Sequence, residues 1–155
     1  MYTFKPLKSH NDLKEIIQSA FSTSLAISGS WGYTQEQSTI IHHSDTPLIQ
    51  LEHIFASMRA YLEMNMTQEK EDRYGSINVN EFKREEIYID SLVYHKVTYT
   101  ISAMQESTYN QFINEYKENY GKEDFDLEIH FNKRKAATLI REVIHWFEVP
   151  KVLQT

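Results

Sequence analysis

Cysteine is absent from this 155-residue chain. That excludes disulfide frameworks, cysteine-ligated zinc, iron–sulfur clusters and a thiol nucleophile. Glycine and proline are scarce, at 4 and 3 residues, and no repeat, linker or low-complexity tract divides the chain. No uncharged apolar run approaches the roughly 18 residues that a membrane span needs, so no membrane partner is expected. The opening Met1-Tyr2-Thr3-Phe4-Lys5-Pro6-Leu7-Lys8 lacks the apolar segment and small-residue cleavage site of a secretory signal, which gives a cytoplasmic expectation. Positive charge is also short: 16 Lys+Arg against 22 Asp+Glu leave −6, which speaks against nucleic acid as a partner.

What the chain does have is an ordinary globular composition, 41% hydrophobic, 25% charged and 13% aromatic. A chain of this length buries about 68–70% of its unfolded surface, enough for one globular domain over residues 1–155.

Hydrophobic spacing predicts the elements. Tyr2–Phe4 alternates like a short strand ended by Pro6, and Ser9 or Asn11 is placed to cap a helix over 11–21, where Leu13, Ile16, Ile17, Ala20 and Phe21 recur at helical spacing. Leu25, Ile27, Trp31 and Tyr33 read as a strand broken by Gly29 and Gly32, with Thr39–His42 as its returning arm. Thr46-Pro47 opens a second helix with proline at the first helical position. Its stripe is Leu48, Leu51, Ile54, Phe55, Met58, Tyr61 and Leu62, with Ile49, Ala56 and Ala60 on the other side, which predicts cover on two faces. The polar stretch from Asn65 to Arg73, with residues 68–72 unable to bury anything, predicts a mobile loop or a frayed extension of the helix. Alternation through Ile77, Val79, Phe82, Ile87 and Ile89, then through Val93, Val97, Tyr99, Ile101 and Ala103, predicts antiparallel strands turning at Asp90-Ser91. Ser107 or Thr108 caps a helix through Tyr109, Phe112, Ile113, Tyr116 and Tyr120, with Gly121 as its stop. Leu127, Ile129 and Phe131 alternate as a strand. Asn132 then caps a last helix through Ala136, Leu139, Ile140, Val143 and Phe147, ended by Pro150. The sum is an α+β fold, a mainly antiparallel sheet with about four helices packed on one face as a two-layer sandwich.

Four groups of residues carry candidate chemistry. His42-His43-Ser44-Asp45 with Glu52-His53 holds the residue types of a metal site. Its spacing is poor, because neighbours on a strand point to opposite faces and neighbours on a helix diverge by about 100°. No metal and no cofactor are therefore expected. His95, on the apolar register of its strand, reads either as a general base or as a core histidine hydrogen-bonded to a neighbour. No GxSxG, HExxH or HxH motif accompanies it. Gly29-Ser30-Trp31-Gly32-Tyr33 is too short for a phosphate loop; Trp31 and Tyr33 are either core or a binding contact. Lys133, Arg134 and Lys135 stand where a helix would begin, against its dipole, which points to an anion site unless Glu123, Asp124, Asp126 and Glu128 neutralise them.

Two functions follow. The first is a small non-catalytic protein-interaction or regulatory module, using a surface around Trp31 and Tyr33 and acting as a homodimer or with another protein. The second is an enzyme or small-ligand-binding domain with a cleft at the sheet edge. There His95, or His42/His43 with Glu52, would act on an anionic ligand held by the basic trio. Both place the charged and imidazole groups outside a wholly apolar interior.

Overall fold

In the computed structural model, which describes residues 4–8 and 13–150, the chain runs α1 (Leu13–Phe21), β1 (Ile27–Gly29), β2 (Thr39–Ile41), α2 (Leu48–Tyr61), β3 (Tyr74–Ile89), β4 (Leu92–Gln105), α3 (Glu106–Asn119), α4 (Leu127–Ala137) and β5 (Leu139–Val149). The caps expected at Ser9 and Asn11, and most of the strand expected over Tyr2–Phe4, lie outside the described residues. The strands form one sheet in the order β1-β2-β5-β4-β3. Only β2 against β5 is parallel; the other pairs are antiparallel. The class is α+β.

The turn between β3 and β4 sits where Asp90-Ser91 foretells it, with Ile89 paired to Leu92 and Asp90 at φ 56°. Two-residue hairpins need that left-handed backbone to match strand twist, and aspartate tolerates it. Strand alternation then sorts the sheet into two faces. Val93, Val97, Tyr99, Ile101 and Ala103 of β4 share the inner one with Val143, Phe147 and Val149 of β5, and there Leu13, Ile17, Leu51, Phe55 and Ala56 from α1 and α2 close over them in one core cluster.

Helix α2 differs from its expected stripe. It buries Leu51, Glu52, Phe55, Ala56, Arg59 and Ala60 and exposes Ile49, Ile54 and Tyr61, so it is covered along one broad face. Pro47 is still extended at φ −52° and ψ 140°, one position ahead of the helix proper. A π-turn over Leu62–Met66 prolongs α2, with the Thr67 N–H reaching back to the Leu62 carbonyl at 3.1 Å. This wider turn packs four consecutive residues, Leu62 to Asn65, into the interior. Helix α3 opens at Glu106 rather than at Ser107 or Thr108, with no side-chain cap, and Gly121 follows it at φ 86°.

The largest correction covers residues 127–149. The segment read as a strand is helix α4, and most of the segment read as a helix is strand β5. Leu139, Val143 and Phe147 are spaced by four, and four residues bring a side chain back to the same side of a helix and of a strand alike. Tertiary pairing decides, because β5 fills the slot between β2 and β4. In α4, Leu127, Ile129 and Phe131 are all exposed, and only His130 is buried.

Candidate functional site

The charges that sequence reading places outside are largely inside. Glu52 is fully buried, and Arg59 and Glu63 retain 2% of their exposure each. On α2 these residues and Ala56 follow one another at spacings of four, three and four, so they share one helical line. That line faces the sheet.

At one end, Glu52 Oε2 accepts from Nδ1 of His95 at 2.7 Å, and Glu52 Oε1 accepts from Arg84 Nη1 at 2.7 Å. Arg84 comes from β3 and also donates to Glu81 at 2.6 Å. Burial pulls the Arg84 pKa down, but the hydrogen bonds and charges of Glu81 and Glu52 outweigh it and hold the guanidinium above its ordinary value. Arg84 Nη1 lies 3.1 Å from the same Nδ1, and Nε2 of His95 stands 3.8 Å from Glu86 Oε2. An imidazole oriented by a buried carboxylate is the arrangement of an acid–base group, and it is equally a strut tying β4 to α2.

Farther along, Glu63 takes Arg141 at 3.1 Å and the Tyr33 hydroxyl at 2.5 Å. Tyr33 in turn accepts the Leu7 N–H at 2.9 Å. Burial first, then the Glu63 charge, pushes the Tyr33 pKa up, so the phenol stays protonated. Arg59 lies over the Tyr33 ring, 4.5 Å from its centroid, and donates to the carbonyls of Trp31 at 3.1 Å and Ile144 at 2.9 Å. Trp31, 2% exposed, stacks on Phe55; it is core and offers no contact surface. Tyr33 is half-buried and committed to Glu63. The surface expected around Trp31 and Tyr33 is thus interior.

His145 projects inward beside them. Thr39 Oγ1 gives its single proton to the Ser30 carbonyl at 2.7 Å, so His145 Nε2 is the donor in their 3.0 Å contact and Nδ1 is left unpaired. Burial, then the Arg59 charge, holds the His145 pKa well below its usual range. Gly32, at φ 79°, passes so close that an added Cβ would stand 2.2 Å from the His145 ring.

The histidine group near α2 does not converge. His42 meets Ser28 Oγ at 2.6 Å, His43 meets Asp45 at 2.8 Å, His53 meets the Val79 carbonyl at 2.7 Å, and Glu52 serves Arg84 and His95. Among the described residues no group of three or more such side chains is placed to hold a metal. The fold brings Glu52 to His95 rather than to His42 or His43, a pairing that sequence reading did not make.

The basic trio also changes meaning. It sits in the last turns of α4 rather than the first, so its charges agree with the helix dipole and the anion-at-an-N-terminus argument falls. The N-terminal cap is Asp126, whose carboxylate accepts the Ile129 N–H. Eight residues of helix, about 12 Å, part it from Arg134, so the neutralising acids expected upstream do not reach. Lys133 is exposed. Arg134 and Lys135 line a groove of about 410 Å³ beside Ser76, Asn78, Ser102 and Thr138.

Sequence reading missed the inward turn of Glu52, Arg59, Glu63, Arg141 and His145. The usable signal was positional: charges at helical spacing on the line of Ala56, a residue too small to fill the gap to a sheet. Among the described residues no helix is long and apolar enough to cross a membrane. Comparison with known protein families, curated proteins and solved structures gives no match.

Proposed function

We propose that the chain is a small cytoplasmic interaction module without catalytic activity, and that it works as a homodimer joined through the open face of its sheet. One observation carries the reading. On the face turned away from α2, β5 presents Ile140 and Ile144 at 69% and 40% exposure, with Trp146 between the ring of Tyr94 and the ammonium of Lys96. Neighbouring Thr98 and Thr100 are short, which suits close approach of a flat partner. Contiguous exposed apolar area on a folded chain marks an interaction surface.

Charge favours a second copy as the occupant. Glu142 stands between Ile140 and Ile144 on this face of β5 and Glu148 lies beyond Trp146, and neither has a cation partner among the described residues. Across the face, Lys83 and Lys96 share the single carboxylate of Glu85 at 3.0 and 4.0 Å. A twofold axis laying β5 of one copy over β3 and β4 of the other sets surplus acid against surplus base in both directions, as an isologous interface requires. Light scattering across a concentration series checks it: the wild-type chain is expected at twice the monomer mass and Ile144→Glu at the monomer mass. A wild-type chain that stays monomeric at the highest concentration overturns the reading.

A second reading, an acid–base enzyme, is favoured by the Glu52–His95 hydrogen bond alone. It requires a substrate seated against Nε2 of His95, and a structure with such a ligand in hydrogen-bond reach of that nitrogen would establish it.

A further inference from the structure

We propose that the groove between α4 and the adjoining ends of β3 and β4 is a binding site for a phosphate-bearing small molecule, with Arg134 and Lys135 as its charge-recognising residues. Its volume of about 410 Å³ falls in the range of small-molecule pockets, about 300–1,000 Å³. Its lining is chemically one-sided. In a chain of net charge −6, the groove holds two cations, five neutral hydroxyl or amide side chains and no carboxylate.

Some of those groups are engaged and others are unspent. Thr138 Oγ1 donates to the Arg134 carbonyl at 2.9 Å and Asn78 Nδ2 to the Ser76 carbonyl at 3.2 Å. Among the described residues the Arg134 guanidinium, the Lys135 ammonium and the Ser76 and Ser102 hydroxyls have no hydrogen-bond or ion-pair partner. The contrast is with Arg59, Arg84 and Arg141, each engaged by a carbonyl or carboxylate. Arg134 is nevertheless held in place: its guanidinium lies over the rings of Tyr109 and Phe131, 5.6 and 5.4 Å from their centroids. Stacking fixes the plane of a guanidinium while leaving its N–H edge free.

The dipole of α4 accounts for cations near its C-terminal end, but not for serine and asparagine donors meeting them from two other strands. Ser76 reaches the groove at φ 49°, in the irregularity of β3 between Gly75 and Asn78; bulges often re-aim a side chain beside a site. Two cations and the free Ser76 and Ser102 hydroxyls match the charge and the three terminal oxygens of a phosphoryl group better than the two oxygens of a carboxylate.

The test is a titration of the whole chain with inorganic phosphate at constant ionic strength, followed by amide chemical shifts. Saturable shifts are expected at Ser76, Ser102 and Thr138. Arg134→Gln and Lys135→Gln are expected to weaken binding roughly tenfold or more, the scale of one lost charge-assisted hydrogen bond, whereas Lys133→Gln, outside the lining, leaves it unchanged. Shifts that never saturate, or an equal loss in Lys133→Gln, would mean diffuse attraction and overturn the proposal. The titration is repeated on Ile144→Glu, so the result does not depend on self-association. The same shifts are expected there, and their loss would overturn the groove as a site of the single chain.

Discussion

The two faces of the sheet reverse the ordinary division of residues. The face under α1 and α2 encloses Glu52, Arg59, Glu63 and His145, each less than 3% exposed. The opposite face leaves Ile140 and Ile144 in solvent. Burying ions is costly unless they are paired and hydrogen-bonded, and the inner face meets that condition almost throughout. What an inner charge contributes is therefore position: Arg59 binds the carbonyls of Trp31 and Ile144, locking the loop before β2 to β5. What an outer isoleucine contributes to the single chain is little, since much of its surface stays in solvent.

That contrast can be broken in order of expected effect. Arg59→Met keeps the apolar stem but leaves the Trp31 and Ile144 carbonyls without their cationic donor. It should cost about 3–5 kcal/mol, the usual penalty for removing one member of a buried pair, read as a lower urea midpoint. A loss under about 1 kcal/mol would mean that the inner ions are replaceable packing.

Acid should act next. His145 is held neutral in the fold, while the unfolded chain takes up its proton near pH ~6.5. The unfolded state then binds more protons, so stability is full above that pH and declines as pH falls toward the depressed folded pKa. The slope is about 1.4 kcal/mol per pH unit. His145→Gln should flatten the decline between pH 7 and 5 relative to wild type, and parallel profiles would show that another group titrates.

The outer face gives the smallest effect. Ile140→Ser should change stability by no more than about 0.5 kcal/mol when measured on dilute protein. A larger loss would place that residue in the fold of the single chain.

The parts legible in sequence are those where one period prevails. The β3–β4 hairpin declares itself by alternation and by Asp90, and α1 and α2 by their apolar spacing. The β5 segment is ambiguous because its apolar residues recur every four, and only the vacant position between β2 and β4 selects the strand. The site residues were less legible still. Polarity reads locally as a sign of solvent, yet Glu52 and Arg84 come from elements far apart in the chain, and nothing local announces that each is the other's counter-ion. Lys133, Arg134 and Lys135 lie where their helix ends rather than where apolar spacing predicts it to begin, and only Arg134 and Lys135 face the groove.

Strand β5 lies between β2 and β4 and is the last strand of the described chain. A ribosome therefore releases the hairpin and the N-terminal strands before the ribbon that joins them exists. Until then β2 and β4 each show a bare row of amides and carbonyls, the kind of edge that recruits other chains. Assembly must wait for a long-range parallel contact, Thr39 with Phe147, a pairing that is slow to close. Nascent chains halted before residue 139 should accordingly rely on chaperones far more than the finished molecule does.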